Sequence, residues 1–257
     1  ENHGVDLLSF TGGSQTGRTI MGAAAGNLKR VALELGGKNP HIIFADADLD
    51  VAVDYALNAV FFHAGQICSA GAKLLVESPI HDAFVVALSA RMKAINVGNG
   101  ADPDTRMGPL ISAAHRQKVE DHVALALSEG ATLAVGGARP DDPALANGFF
   151  YLPTLLTGCT PEMTISREEV FGPVIGVERF DSEAEAIARA NDTVYGLSAG
   201  FWTTDEARIE RVSRALRFGT VWANDFNVYF PAAPWGGYNQ SGIGRELGRA
   251  GLDEYTE

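Results

Sequence analysis

The feature that most constrains this chain is a repeated alternation of short apolar runs with longer amphipathic ones. Strands are expected at 6–10, 41–44, 72–76, 174–180, 198–202 and 220–223, and helices at 49–62, 80–95, 112–129, 182–190 and 205–215. Asp48, Ser112 and Ser182 stand where a side-chain oxygen can accept from the free amides of a first helical turn. In the 80–95 run, Phe84, Ala87, Leu88, Arg91 and Ile95 recur at spacings of three and four, as one side of a helix requires. Strands that alternate with helices need crossover connections, which implies an α/β fold with an open, largely parallel sheet flanked by helices. The turn-rich breaks at 98–103 and 136–143 read as surface loops and not as domain linkers. No internal repeat or low-complexity segment interrupts the pattern.

A length of 257 residues suffices for one large or two smaller domains with real cores. The 46% hydrophobic and 20% charged content is that of an ordinary globular protein. A net charge of -12 argues against nucleic-acid or anionic-membrane partners, which need positive surface. Only Cys68 and Cys159 are cysteines, with no CxxC pair and no zinc-like Cys/His spacing. Sparse cysteine fits a reducing compartment, so a cytoplasmic location is expected. No apolar run reaches bilayer length.

Several segments carry candidate chemistry. Residues 5–10 read as a buried strand, followed by Thr11-Gly12-Gly13-Ser14-Gln15-Thr16-Gly17 and a helical run over 18–26. Strand, glycine-rich turn and helix together aim backbone amides at a phosphate, but the spacing is not GxGxxG and a tight turn without ligand explains it equally well. In Leu33-Glu34-Leu35-Gly36-Gly37-Lys38-Asn39-Pro40 a carboxylate lies between two leucines. It would be costly there if charged and unpaired. Either it forms a salt bridge, to Arg30 or Lys38, or it is a general base with a tuned pKa. Cys68, in FFHAGQICSAG, is by default a small buried hydrophobe. As a nucleophile it would need access, a polarising neighbour and a base. Thirty-four residues separate Glu34 from Cys68, room for one strand and one helix, so a crossover permits both to share one cleft. The pair Glu168 and Glu169, before Val170-Phe171-Gly172-Pro173, suits either sugar hydroxyls or a solvated acidic loop. The glycine- and aromatic-rich stretch from Pro234 to Gly248 reads as an ordered loop. Upstream, Phe226, Tyr229 and Phe230 form an aromatic group that core packing would also explain.

Taken together, FTGGSQTG, LELGGKNP, FFHAGQICSAG, EEVFGP and PWGGYNQSGIGRELG, in this order across nearly the whole chain, resemble the aldehyde dehydrogenase superfamily. The resemblance implies that Cys68 is the nucleophile and Glu34 the general base. It places Gly12 and Gly13 in the turn facing the cofactor pyrophosphate, and makes Glu169 the acid that holds the nicotinamide-side ribose, with Phe171 packed nearby. It puts Tyr229 and Phe230 along the aldehyde tunnel and makes Glu246 a carboxylate linked to the proton path behind the base. The implied reaction uses NAD, or NADP. Cys68 attacks the aldehyde to give a thiohemiacetal, whose oxyanion is held by the Cys68 amide and an asparagine side chain. Hydride transfer leaves a thioester, and water activated by Glu34 releases the acid. The glutamate argues against the CoA-acylating relatives. GQICSAG and the PWGG run are similar to those of betaine-aldehyde dehydrogenases, which implies a trimethylammonium aldehyde or a related aminoaldehyde. An aromatic-lined pocket would suit such a cation.

The likeness is to the C-terminal half of such an enzyme. Residues 1–35 are expected to be a remnant of the Rossmann-like cofactor domain, 36–240 the catalytic domain, and 241–257 a return segment toward the cofactor domain and an oligomerisation strand. In the family, the oxyanion asparagine and a ribose-binding lysine lie N-terminal to the cofactor turn. The chain alone is therefore expected to bind NAD poorly and turn over little, and the full-length form to be a homo-oligomer. The alternative is a non-catalytic binding or assembly module that uses an exposed, interrupted sheet at Tyr255-Thr256-Glu257. Cys159 matches no catalytic position and is expected to be structural.

Overall fold

The structure, a computed structural model, describes residues 2–256. In chain order its elements are β1 (Leu7–Thr11), α1 (Ser14–Ala24), β2 (Arg30–Glu34), β3 (Pro40–Ile43), α2 (Leu49–Phe61), β4 (Lys73–Glu77), α3 (His81–Lys93) and α4 (Ala113–Ser128). They continue with β5 (Thr132–Val135), β6 (Thr154–Thr157), α5 (Thr164–Arg167), β7 (Val174–Phe180), α6 (Glu183–Asn191), β8 (Ser198–Trp202), α7 (Glu206–Ala215), β9 (Thr220–Ala223), β10 (Gly242–Ile243) and α8 (Gly248–Asp253).

These strands build two sheets. The smaller has the order β1-β2-β10, with β1 and β2 parallel and β10 antiparallel to β2. The larger has the order β5-β6-β7-β4-β3-β8-β9, and every pair in it is parallel except β5 with β6. This is the open, largely parallel α/β architecture expected from the alternation.

The large sheet is apolar on both faces, as a parallel sheet covered by crossover helices must be. Successive side chains of a strand point to opposite faces. Ile43, Leu74 and Val76 accordingly pack with Val60 of α2, Phe84 and Leu88 of α3 and Val119 of α4. Ile42, Phe44 and Leu75 pack on the other face with Ala186 and Ala190 of α6 and Val212 of α7. The expected caps form. Asp48, Ser112 and Ser182 accept from the amides of Val51, His115 and Glu185 at 3.1, 3.1 and 3.2 Å.

Three expectations are corrected. The strand expected to be buried at 5–10 runs Leu7–Thr11 and is only half covered, because it is the edge of the small sheet with β2 as its one neighbour. The helix expected over 18–26 starts at Ser14 and ends at Ala24, so the glycine-rich turn is shorter than the sequence suggests. Glu254 and Tyr255 form a turn after α8, Tyr255 and Thr256 join no sheet, and Glu257 lies outside the described residues. Among the described residues no helix is long and apolar enough to cross a membrane, and no cluster of His, Cys, Asp and Glu could hold a metal ion.

The arrangement places one region for chemistry. The ends of β1 and β2, at Thr11 and Glu34, meet the loops that enter β4 and β7, at Cys68 and Glu169, around a common cavity.

Candidate active site

Cys68 is presented by an unusual turn. After α2 the chain passes through His63, Ala64 and Gly65 with φ of 51°, 55° and 73°, three successive left-handed residues. Side chains rarely adopt that conformation, and at Gly65 a Cβ would also run into the Gly172 carbonyl. Gln66 secures the turn. Its amide and its Nε2 both donate to the His63 carbonyl at 3.2 Å, and its Oε1 accepts from the Ile111 amide at 2.9 Å. Asn39 holds the next stretch, its Nδ2 donating to the carbonyls of Cys68 (2.8 Å) and Ala70 (3.1 Å) while its Oδ1 accepts from the Ser198 amide at 3.1 Å. The buried Ser69 hydroxyl donates to Asn227 Oδ1 at 2.7 Å and lies 2.6 Å from the Tyr229 hydroxyl.

Cys68 and Glu34 line one cavity of about 600 Å³, together with Gly12, Gly13, Glu169 and Phe171. The crossover thus returns the thiol to the carboxylate, as the spacing permits. Burial pushes the Cys68 thiol up, and the negative charges of Glu169 and Glu34 add to this, while the amides of Ser69 and of Cys68 itself pull it down. Glu34 sits at the end of β2 and is almost wholly buried. Its carboxyl is pushed up to about 7, chiefly by burial and then by the neighbouring charge of Glu246, with the Arg245 guanidinium and the Trp235 indole pulling weakly the other way. The salt bridge to Arg30 or Lys38 does not form. Arg30 reaches Glu254 at 3.7 Å, the Lys38 Nζ is buried without a hydrogen-bond partner, and Glu34 Oε2 is likewise unpartnered.

Glu246 lies outside the cavity lining. Its Oε1 accepts from the Ser9 hydroxyl at 3.2 Å and the Tyr255 hydroxyl at 3.3 Å, and its main chain exchanges two 2.7 Å hydrogen bonds with Trp235. Its influence on Glu34 is electrostatic, through the cavity wall.

The two acids at 168 and 169 separate. Glu168 is exposed, 3.6 Å from His122, as a solvated loop residue would be. Glu169 turns into the cavity, where its Oε1 accepts from the Gly37 amide at 3.2 Å. It packs against Gly36, where a Cβ would displace the carboxylate. Burial raises the Glu169 carboxyl, and the Gly37 amide, Lys118 and Lys38 oppose the rise. Gly13 caps α1 with no side-chain hydrogen bond, and a Cβ there would meet nothing within 4 Å. The start of α1 is therefore uncapped and open to the cavity. Phe171 stands at φ 58°, and its carbonyl accepts from His115 Nε2 at 2.6 Å.

The aromatic group expected around 226–230 splits. Phe226 is core. Tyr229 packs edge-on against Trp235 at 4.7 Å and Trp222 at 5.9 Å. Phe230 is 64% exposed, and neither it nor Tyr229 lines this cavity. Cys159 is buried in the main core, where burial pushes its thiol up to about 11. Asn39, His115 and Lys118 were not anticipated from the sequence. Asn39 falls within a motif that was singled out, but its partners are main-chain carbonyls 29 and 31 residues away.

The aldehyde dehydrogenase family model matches residues 1–257. A betaine aldehyde dehydrogenase of Bacillus subtilis is 62% identical over 256 residues, which cover 100% of this chain and 52% of that protein. One of Mesorhizobium japonicum is 46% identical over 253 residues, 98% of this chain and 52% of that protein. A crystal structure of betaine aldehyde dehydrogenase from Staphylococcus aureus in complex with NAD+ superposes with a TM-score of 0.96 at 57% identity, over 98% of this chain and 50% of that one. The chain spans about half the length of the curated relatives it matches.

The contrast between the two thiols is open to measurement. Iodoacetamide at pH 8 is expected to modify Cys68 at least ~10 times faster than Cys159, as peptide mass spectrometry would read, because the reactive species is the accessible thiolate. Equal and slow labelling of both would contradict this placement of Cys68.

Proposed function

The chain belongs to the aldehyde dehydrogenase family, and on that premise we propose that its residues serve the NAD(P)-dependent oxidation of an aldehyde to a carboxylic acid. Betaine aldehyde or a related aminoaldehyde is the substrate in this reading. The observation that carries it is the single cavity shared by Cys68, Glu34, Glu169 and the turn at Gly12 and Gly13.

The chain's residues fit a dinucleotide. An uncapped helix start under open space suits a pyrophosphate, and a buried carboxylate braced by a backbone amide suits ribose hydroxyls. Bound NAD+ would supply the hydride acceptor. Cys68, as the thiolate, adds to the aldehyde carbon through sulfur, and its own amide would donate to the developing oxyanion. Oxidation leaves an acyl group on Cys68. Glu34 then takes a proton from the water that attacks this thioester, which releases the acid and restores the thiol. Glu34 lines the cavity beside Cys68, where its carboxylate would hold that water. A pKa of about 7 lets the carboxylate accept a proton near neutral pH and pass it on. Glu246 helps set this affinity from behind.

For the substrate, the relatives' names and the aromatic wall point the same way. Tyr229 is fixed by its hydroxyl to Ser69, next to the nucleophile, with Trp235 and Trp222 against its ring. Such rings attract a quaternary ammonium. Tyr229 is proposed as a wall of the aldehyde path and Phe230 as its outer rim. Residues 1–35 and 241–257 are assigned to the cofactor domain, since both contribute strands to the small sheet, and residues 36–240 to the catalytic domain. Assembly as a homo-oligomer goes with this reading.

Two tests follow. Betaine aldehyde and 3,3-dimethylbutanal have nearly the same shape and differ by one positive charge. In the native protein, kcat/KM is expected to favour the cation by at least ~10-fold, the scale of a desolvated cation–π contact. Equal values would refute the substrate assignment. The second concerns pH. Glu34 must be ionised to accept a proton, so the rate of thioester hydrolysis should fall as pH drops through about 7. Glu246→Gln removes a charge that raises the Glu34 pKa, so it should move that inflection to lower pH. An unmoved inflection would break the proposed link between Glu246 and Glu34.

A further inference from the structure

We infer that His115 is a positioning residue for the segment from Glu169 to Phe171, and that its hydrogen bond to the Phe171 carbonyl keeps the Glu169 carboxylate set toward the cofactor ribose. The inference rests on the dinucleotide reading above. Phe171 is held at φ 58°, a conformation that a bulky side chain rarely adopts unless its surroundings impose it. The imposing contact is short: His115 Nε2 donates to the Phe171 carbonyl at 2.6 Å, and the two rings meet edge to face at 5.9 Å. A carbonyl can only accept, so the proton of this bond is on Nε2.

His115 is itself anchored. It lies in the first turn of α4, where its amide is the one that donates to the Ser112 cap. The rest of that helix face follows the same loop. Lys118 donates to the Glu169 carbonyl at 3.4 Å, Val119 packs directly on Gly172, and His122 lies 3.6 Å from Glu168. Positions 115, 118, 119 and 122 are the i, i+3, i+4 and i+7 places of one helix face. On its far side the loop meets the nucleophile's turn, where the Gly172 carbonyl abuts Gly65. The segment is therefore wedged between α4 and the Cys68 turn. His115 makes the bond at the residue whose backbone is least favourable on its own. Without that bond Phe171 would be free to relax to negative φ, and the Glu169 carboxylate would lose its fixed relation to the Gly37 amide.

His115→Phe keeps a ring and loses the donor, whereas His115→Gln keeps a donor. In the native protein, H115F is expected to weaken NAD+ binding about tenfold by calorimetry, a difference of about 1.4 kcal/mol. KM for NAD+ should rise more than kcat falls. In the free protein, amide hydrogen exchange over 168–172 should speed up. H115Q is expected to restore most of both properties. His115→Asn, too short to reach the carbonyl, replaces H115F if that variant does not fold. Unchanged NAD+ affinity and unchanged exchange in H115F would overturn the inference, even if its Tm falls. A full-length wild-type protein that binds no NAD+ would overturn the dinucleotide reading instead, and the exchange difference would still decide the role of His115.

Discussion

One buried amide side chain links the parts on which this site depends. Asn39 stands at the entry to β3 and is 1% exposed. Its Nδ2 bonds two carbonyls of the Cys68 turn, and its Oδ1 takes the first amide of β8. A buried polar group is tolerable only when its partners are supplied, and here every partner is main chain. The same short connection from Leu35 to Asn39 joins the small sheet to the large one. The position of Cys68 relative to Glu34 is thus set by covalent continuity on one side and by the Asn39 bonds on the other.

Around that frame the electrostatics favour proton exchange near neutral pH over permanent charge. Glu34 and Glu169 are both held up by burial, and Glu246 pushes Glu34 further. Lys38, in the same motif, does not neutralise Glu34. Lys38 is buried with its Nζ unpartnered, and burial together with Lys73 pulls it down to about 8. A carboxylate with a full salt bridge would stay ionised and make a poor base at neutral pH. Leaving Glu34 unpaired costs stability, in line with the general observation that strained or unsatisfied groups gather at functional sites.

Much of this was legible in the sequence, for identifiable reasons. The alternation of apolar and amphipathic runs marked the inner strands β3, β4, β7 and β8, which are largely apolar and buried, and the edge strand β9, but it missed the inner strand β6, which has only two apolar residues between threonines. The strand β2 did not stand out, since Arg30 and Glu34 bracket only three apolar residues. The edge strand β5 is largely exposed and β10 has two residues, so neither carries a periodic signal. Cys68 and Glu34 stood out as candidates because a lone thiol among small residues and a carboxylate between leucines are chemically conspicuous, but the residues alone left a structural reading open for each, and their roles were implied only by the resemblance of the surrounding motifs. Asn39 and His115 were not. Their partners are the carbonyls of Cys68, Ala70 and Phe171, and a main-chain acceptor is the same whatever residue bears it. The left-handed turn at His63 and Ala64 is hidden likewise, because tertiary contacts and not residue type impose it.

In the proposed reaction Cys68 carries the acyl group and Glu34 releases it. The most direct measurement is the mass of the Cys68 peptide from Glu34→Gln protein, quenched during turnover with betaine aldehyde and NAD+. The account predicts that the Cys68 peptide is heavier by the trimethylglycyl group, as a thioester that Glu34 would otherwise clear, while the Cys159 peptide is unchanged. Unmodified Cys68 with turnover equal to that of the wild type would contradict it, and both residues would lose the roles assigned to them.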